Sequence, residues 1–326
     1  MQMARLGVGL IGLGHNGRAW CSAYQSCGLT ELKAVCDRDE GRLRSATSEF
    51  SVDGYSGYEI LERGDIDIIS VHTPDHLHTE PFLAALAAGK HVLCEKPMAN
   101  SLDDLALMVA AARKAGTKTM VGQVLRFNPL FKFVRRLVEN GQLGDLFYLE
   151  ADYVHDLRYQ QHMEDWKITA ESPIVGGGVH PLDLLRWFAG DIEEVFGMAN
   201  HTAYTEMHEP TTQAAMLRFA SGAVGKVASL YGTISPMAEW YNLAVHGTTG
   251  TVKGNRLCLD GNDAWMTIPV EYHGHPYEPE VEHFARAILG DTQPMVDALE
   301  GAKSAQACLL AHQSAIEGRP LKVPPL

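Results

Sequence analysis

Six residues near the amino terminus constrain the fold more than any others. Gly12-Leu13-Gly14-His15-Asn16-Gly17 spells G-x-G-x-x-G directly after an almost wholly apolar run, Arg5–Leu13. A run apolar on both alternating faces suits a strand covered on both sides, as in parallel sheets. Asn16–Cys27 then has helical spacing, so the glycines join a strand to a helix. In that context they have a purpose: a tight turn, close approach of a diphosphate to the backbone, and helix packing on the strand. The helix start, with His15 and Asn16 beside it, offers unpaired N–H groups and a partial positive charge to an anion. Asp37 stands 20 residues beyond Gly17, at the end of a second strand. A carboxylate there accepts hydrogen bonds from both adenosine ribose hydroxyls and repels a 2′-phosphate. Arg38 follows, able to stack on adenine or to meet that phosphate. The reading is NAD, with NADP as a second option.

To residue 123 the chain alternates strand-like runs with helical patterns, the signature of βαβ units. Strands are expected at Leu32–Cys36, Ile66–Val71, His91–Cys94 and Thr119–Val121, with helices at Asp39–Phe50, Glu80–Ala88 and Leu102–Ala115. Beyond Pro129–Asn140, a helical stretch, strands dominate: Leu146–Val154, Val195–Ala199, Ala214–Phe219, Ala223–Leu230 and Tyr241–Val245. Gly222 and Gly250 read as turns. Consecutive strands with few helices indicate a mixed or antiparallel sheet. Helices near Glu280–Leu289 and Ala298–Ile316 close the chain. The fold class is α/β: a doubly wound parallel Rossmann domain over 1–123, then an α+β domain over 124–326.

With 27 basic against 40 acidic residues the net charge is −13, which makes nucleic acid and anionic membranes poor partners. Six scattered cysteines form no C-x-x-C pair and read as free thiols of a cytoplasmic protein. No apolar segment approaches the ~20 residues of a membrane span. His72, His76 and His78, like His273 and His275, lack a supporting Cys/Asp/Glu set at ligand spacing, so no metal is expected. Tyr153, Trp166, Tyr231, Trp240 and Tyr241 could stack on a sugar ring or serve the core.

Lys96 lies in Cys94-Glu95-Lys96-Pro97, just after a strand. A residue before proline is held extended, so Lys96 projects from the carboxyl edge of the sheet, where open α/β folds bind ligands. Here the sequence resembles the Gfo/Idh/MocA oxidoreductases, the relatives of glucose–fructose oxidoreductase and inositol dehydrogenase. Gly12, Gly14, Gly17 and Asp37 match the cofactor loop, and Thr73-Pro74-Asp75 with His78 resembles a T-P-N-x-x-H stretch beside the nicotinamide. Gly89-Lys90-His91-Val92 leading into Glu95-Lys96-Pro97 is the most specific match. Arg126-Phe127-Asn128-Pro129, Trp166-Lys167, and His180 with Asp183 match the substrate domain.

The resemblance covers essentially the whole chain and implies a small-molecule sugar or polyol substrate. It implies that Lys96 and His180 serve the transferring hydroxyl. Arg126, Asn128, Trp166 and Asp183 are implied beside the substrate; Thr73, Pro74, His78, Glu95 and Lys96 beside the cofactor. It also implies that the second domain's sheet is open and builds a homodimer or homotetramer. One position departs. The family's Asp four residues before the histidine is Gly176 here, so Glu171, Asp165, Asp156 or a water would have to compensate. That gap keeps open an NAD-dependent glycosidase or lyase with transient oxidation, and a non-catalytic NAD-binding regulator.

Overall fold

The computed structural model describes residues 5–156, 172–234, 242–270 and 275–326. They form two units: Met1–Val124 with Pro276–Ala302 and Leu326, and Leu125–His275 with Lys303–Pro325.

In the first unit β1 (Leu6–Ile11), α1 (His15–Ser26), β2 (Thr30–Cys36), α2 (Glu40–Phe50) and β3 (Asp53–Tyr55) follow in order. Next come β4 (Ile68–Val71), α3 (Thr79–Ala87), β5 (His91–Cys94), α4 (Leu102–Lys114) and β6 (Thr119–Val121). The strands pair in the order β3-β2-β1-β4-β5-β6, all parallel. This is the doubly wound order, whose switch point lies between β1 and β4. Val8, Leu10, Ile68, Ile69, Val92 and Leu93 are fully buried, as strands sandwiched between helix layers require. Helix starts follow local chemistry: Asp39 accepts from Arg42 N, and Ser101 from Asp104 N.

The linear division at residue 123 needs one correction. Pro276–Ala302 belongs to the first unit, because its helix packs on α1: the Tyr277 and Trp20 rings lie 5.0 Å apart. Val121 N also donates to Val296 O at 2.9 Å, past the sheet edge at β6.

The second unit contains α5 (Pro129–Glu139), β7 (Leu146–Val154), α6 (Val179–Ala189), β8 (Ile192–Asn200), β9 (Thr212–Phe219) and β10 (Val224–Leu230). β11 (Ala244–Gly247), β12 (Gly250–Lys253), β13 (Arg256–Leu259) and β14 (Met266–Thr267) follow. Helix α7 (Tyr277–Leu289) lies in the first unit, α8 (Ala298–Glu317) starts there and continues in the second, and β15 (Leu321–Lys322) ends the chain. The nine-stranded sheet runs β14-β13-β12-β11-β7-β10-β9-β8-β15, with β7 and β10 parallel and the other pairs antiparallel. Gly250 opens β12 rather than turning between strands. Helix α6 packs on β7 and β10, and Ser314 of α8 accepts from Gly197 N of β8.

Candidate functional site

At the start of α1 the helix cap is Gly14, with no side-chain cap and no acidic residue in the first turn. The first N–H groups are therefore left to a ligand, and the dipole favours an anion. Gly12 has φ +99°, and a Cβ there would lie 2.5 Å from the His72 carbonyl; one on Gly17 would lie 1.9 Å from Gly12 O. Neither position admits a larger residue without the turn opening.

Asp37, at the end of β2, accepts from Leu13 N at 2.7 Å and from Asp39 N at 2.8 Å. Each carboxylate oxygen keeps a further acceptor site, which suits ribose hydroxyls. Arg38 beside it is exposed. Thr73 Oγ1, after β4, is buried without a hydrogen-bond partner among the described residues. An uncapped helix start, a carboxylate with free lone pairs and an unsatisfied hydroxyl on one sheet edge fit a dinucleotide.

Asn16 and Glu95, both expected beside the cofactor, are braced within the protein. Buried Glu95 accepts from Trp20 Nε1 at 2.6 Å, Asn16 Nδ2 at 3.2 Å and Lys96 N at 2.9 Å. The Tyr277 hydroxyl donates to Asn16 Oδ1 at 2.9 Å. Asn16 and Glu95 thus hold the glycine loop to the strand that carries Lys96. Trp20 and Tyr277 carry no motif, and Tyr277 lies 261 residues from its partner, so sequence spacing could not find them.

His78, also expected beside the cofactor, is bonded within the protein as well. It is almost wholly buried, with Nδ1 2.9 Å from Pro97 O and Nε2 2.9 Å from Thr73 O. It stitches the loop after β4 to the loop after β5 through its two ring nitrogens. Burial pushes its pKa down to about 4 against the pull of the two carbonyls, and the Lys96 ammonium adds to the fall. The ring is therefore neutral near pH 7. Pro74 leads into the short helical turn Asp75–Leu77. Beneath the glycine loop, Tyr24 donates to Ser70 Oγ, which lies 2.6 Å from His72 Nε2. Burial holds the His72 pKa well below the usual range. Lys96 itself is half-buried at the carboxyl edge of β5.

In the second unit His180 lies in the first turn of α6, 3% exposed. Its ring stacks on Tyr153, with centroids 6.0 Å apart, and Tyr153 stacks in turn on His155 at 5.6 Å. The His275 ring is 5.9 Å from His180. Gly177 makes this possible: a Cβ there would lie 2.6 Å from the Tyr153 ring and 2.8 Å from the Tyr231 hydroxyl. Tyr153 and Tyr231 therefore close around the His180 turn, and His155 joins an arrangement that no motif marked.

Arg126 and Asp183, both expected at the substrate, bond each other. Arg126 Nε and Nη2 donate to the two Asp183 oxygens at 2.7 and 2.8 Å, and Ser304 Oγ donates to Asp183 at 2.6 Å. Both side chains are about 97% buried or more, so the pair anchors α6. Asn128 caps α5, its Oδ1 accepting from Leu130 N at 2.8 Å, while its buried Nδ2 has no hydrogen-bond partner among the described residues. Asp156 forms an isolated bridge with Gly232. Asp165, Trp166, Lys167, Glu171, Trp240, Tyr241 and His273 lie outside the described residues. Among the described residues, no group of three or more His, Cys, Asp or Glu side chains could hold a metal.

Two family models match the chain: the oxidoreductase family with NAD-binding Rossmann fold over residues 6–123, and the GFO/IDH/MocA C-terminal domain over 131–253. The 1,5-anhydro-D-fructose reductase of Ensifer adhaerens is 28% identical, covering 97% of this chain and 98% of the relative. The myo-inositol 2-dehydrogenase of Thermotoga maritima is 26% identical, covering 97% and 98%. An Agrobacterium radiobacter oxidoreductase, crystallised with NAD+, L-tartaric acid and magnesium, superposes with a TM-score of 0.90 at 21% identity, covering 98% of this chain and 99% of that one.

Proposed function

We propose that this chain, which belongs to the GFO/IDH/MocA oxidoreductase family, moves hydride between C4 of a nicotinamide and a secondary carbinol carbon of a sugar or cyclic polyol. One observation carries the reading: the carboxyl edge of the first sheet presents the glycine loop, Asp37 and Lys96 in one row. The α1 start binds the diphosphate and Asp37 binds the adenosine ribose. Lys96 hydrogen-bonds the reacting hydroxyl and orients it. His180 is assigned the role of proton acceptor, one that an imidazole can fill. The stacked rings of Tyr153 and His155 fix its plane.

A panel of sugars and cyclitols incubated with NAD+, followed by NADH absorbance, tests the function. Appearance of NADH with members of the panel is expected. Tight NAD+ binding without NADH from any of them would sink the oxidoreductase assignment.

Asp37 sets the cofactor choice. NAD is expected to bind more tightly than NADP, and Asp37→Ala to weaken NAD by about tenfold or more, as charge-assisted hydrogen bonds are lost. NADP should then gain relative to NAD. Dissociation constants for both cofactors check this, and tighter NADP binding by the parent protein contradicts it.

We assign the open face of the nine-stranded sheet to a second copy of the chain, in a homodimer or homotetramer. Met198 and Met216 on that face are 66% and 43% exposed, a costly display for a lone subunit. Sedimentation at micromolar concentration distinguishes dimer or tetramer from monomer. All six cysteines are unbridged, in keeping with a cytoplasmic place. Among the described residues no helix is long and apolar enough to cross a membrane.

A further inference from the structure

Strands β4, β5 and β6 end in register: Val71 pairs with Cys94, and Cys94 with Val121. The ladder continues one step beyond, because Glu95 N donates to Val71 O at 2.9 Å and Gly122 N to Cys94 O at 2.8 Å. Thr73, Lys96 and Gln123 each lie two residues past that last paired row, at the ends of three adjacent strands. The chain turns at Gly122, where Gln123 N donates to Val121 O at 2.7 Å. Thr73 and Lys96 already belong to the candidate site. Gln123 is the third, and neither a motif nor the reading above gives it a role.

Gln123 is 1% exposed, and its Nε2 is buried with no hydrogen-bond partner among the described residues. Folded proteins pair nearly all buried donors, and an unmade bond at such a group is costly. A glutamine placed there without a protein acceptor is placed for one that arrives. A buried methionine or leucine would fill the volume with no polar atom to satisfy.

Position selects the acceptor. Between the end of β2, where Asp37 sits, and the end of β6 lie four strand spacings in the order β2-β1-β4-β5-β6. At about 4.8 Å each that is about 19 Å, so Gln123 cannot share the ribose that Asp37 holds. It lies on the side of the switch point opposite to Asp37, next to Lys96, where the nicotinamide half of a dinucleotide belongs. The group there with a carbonyl oxygen in need of a donor is the carboxamide.

We propose that Gln123 Nε2 donates to the carboxamide oxygen of the nicotinamide and so fixes which face of the ring is turned toward Lys96. The inference rests on the NAD reading but not on the identity of the sugar. Calorimetric titration of NAD+ and of ADP-ribose, which lacks the nicotinamide, into the parent and Gln123→Met proteins separates the cases. Gln123→Met should weaken NAD+ about five- to tenfold, the worth of one ordinary hydrogen bond, and leave ADP-ribose unchanged. The thionicotinamide analogue, whose sulfur accepts poorly, should bind the parent more weakly than NAD+ and bind Gln123→Met no worse than NAD+ does. This last comparison begins from the unmodified protein and so survives a poorly folding variant. Equal weakening of NAD+ and ADP-ribose would make Gln123 a structural residue. Unchanged NAD+ binding with a raised KM for the sugar would hand the donor to the substrate. Either result overturns the proposal.

Discussion

Lys96→Ala is expected to lower turnover by about 10²–10⁴ while NAD binding and thermal unfolding stay near the parent values. The rate factor is that of a positioned group lost from proton transfer or from orientation of the reacting hydroxyl. The specificity of the loss follows from the local structure. The backbone at Lys96 is held by its own N–H donating to Glu95 Oε2, and Glu95 is held by Trp20 and Asn16. None of these bonds uses the lysine side chain, so truncation leaves the loop in place. Lys96→Arg should not restore the rate. Guanidinium keeps the charge but is larger, presents a planar fork and does not give up its proton. Steady-state kinetics at saturating sugar, with cofactor affinity measured separately, decide the matter. Near-normal turnover in Lys96→Ala would reduce the residue to a solvated strand-end lysine.

How much of this was legible depends on how local each feature is. His91–Cys94, Thr119–Val121 and Leu146–Val154 have the bounds that their apolar runs imply, because each run is closed by turn-forming or polar residues. The helix starting after Gly14 was readable from the glycine spacing within one strand–turn–helix unit. The short strands β12 to β14 were not. Gly250-Thr251-Val252-Lys253 has little apolar content, and its extended form comes from pairing with β11 and β13. Nor could the sequence place α7. Its amphipathic pattern says that one face is buried but not on which unit, and the contacts that decide it are Tyr277 with Trp20 and Asn16.

The same limit applies to the site. Motif spacing brought out Glu95, Asn16, His78, Arg126 and Asp183 as residues of consequence. It could not say that their hydrogen bonds run to one another and to backbone carbonyls. Whether a polar side chain faces a ligand or a partner 57 residues away, as Arg126 and Asp183 are, is settled only in three dimensions.

That pair yields the largest effect expected on stability. Asp183→Ala leaves the Arg126 guanidinium 3% exposed and without the carboxylate that takes two of its hydrogen bonds. Removing one partner of a buried ion pair costs about 3–5 kcal/mol, since the remaining charge can neither be paired nor rehydrated without rearrangement. Against a total stability of about 5–15 kcal/mol this is a large fraction. At roughly 2–4 °C per kcal/mol for a unit of this size, the midpoint should fall by about 10 °C. Removing both charges should be far milder. Arg126→Met with Asp183→Leu fills similar volume with apolar groups and removes both charges of the pair together, although Ser304 loses its acceptor. The double variant should therefore recover most of the lost midpoint, with a coupling energy of several kcal/mol in the cycle. Circular dichroism melts of the parent, both single variants and the double variant give that cycle. If Asp183→Ala keeps the parent midpoint but raises KM for the sugar, the carboxylate serves the substrate and the anchoring role fails.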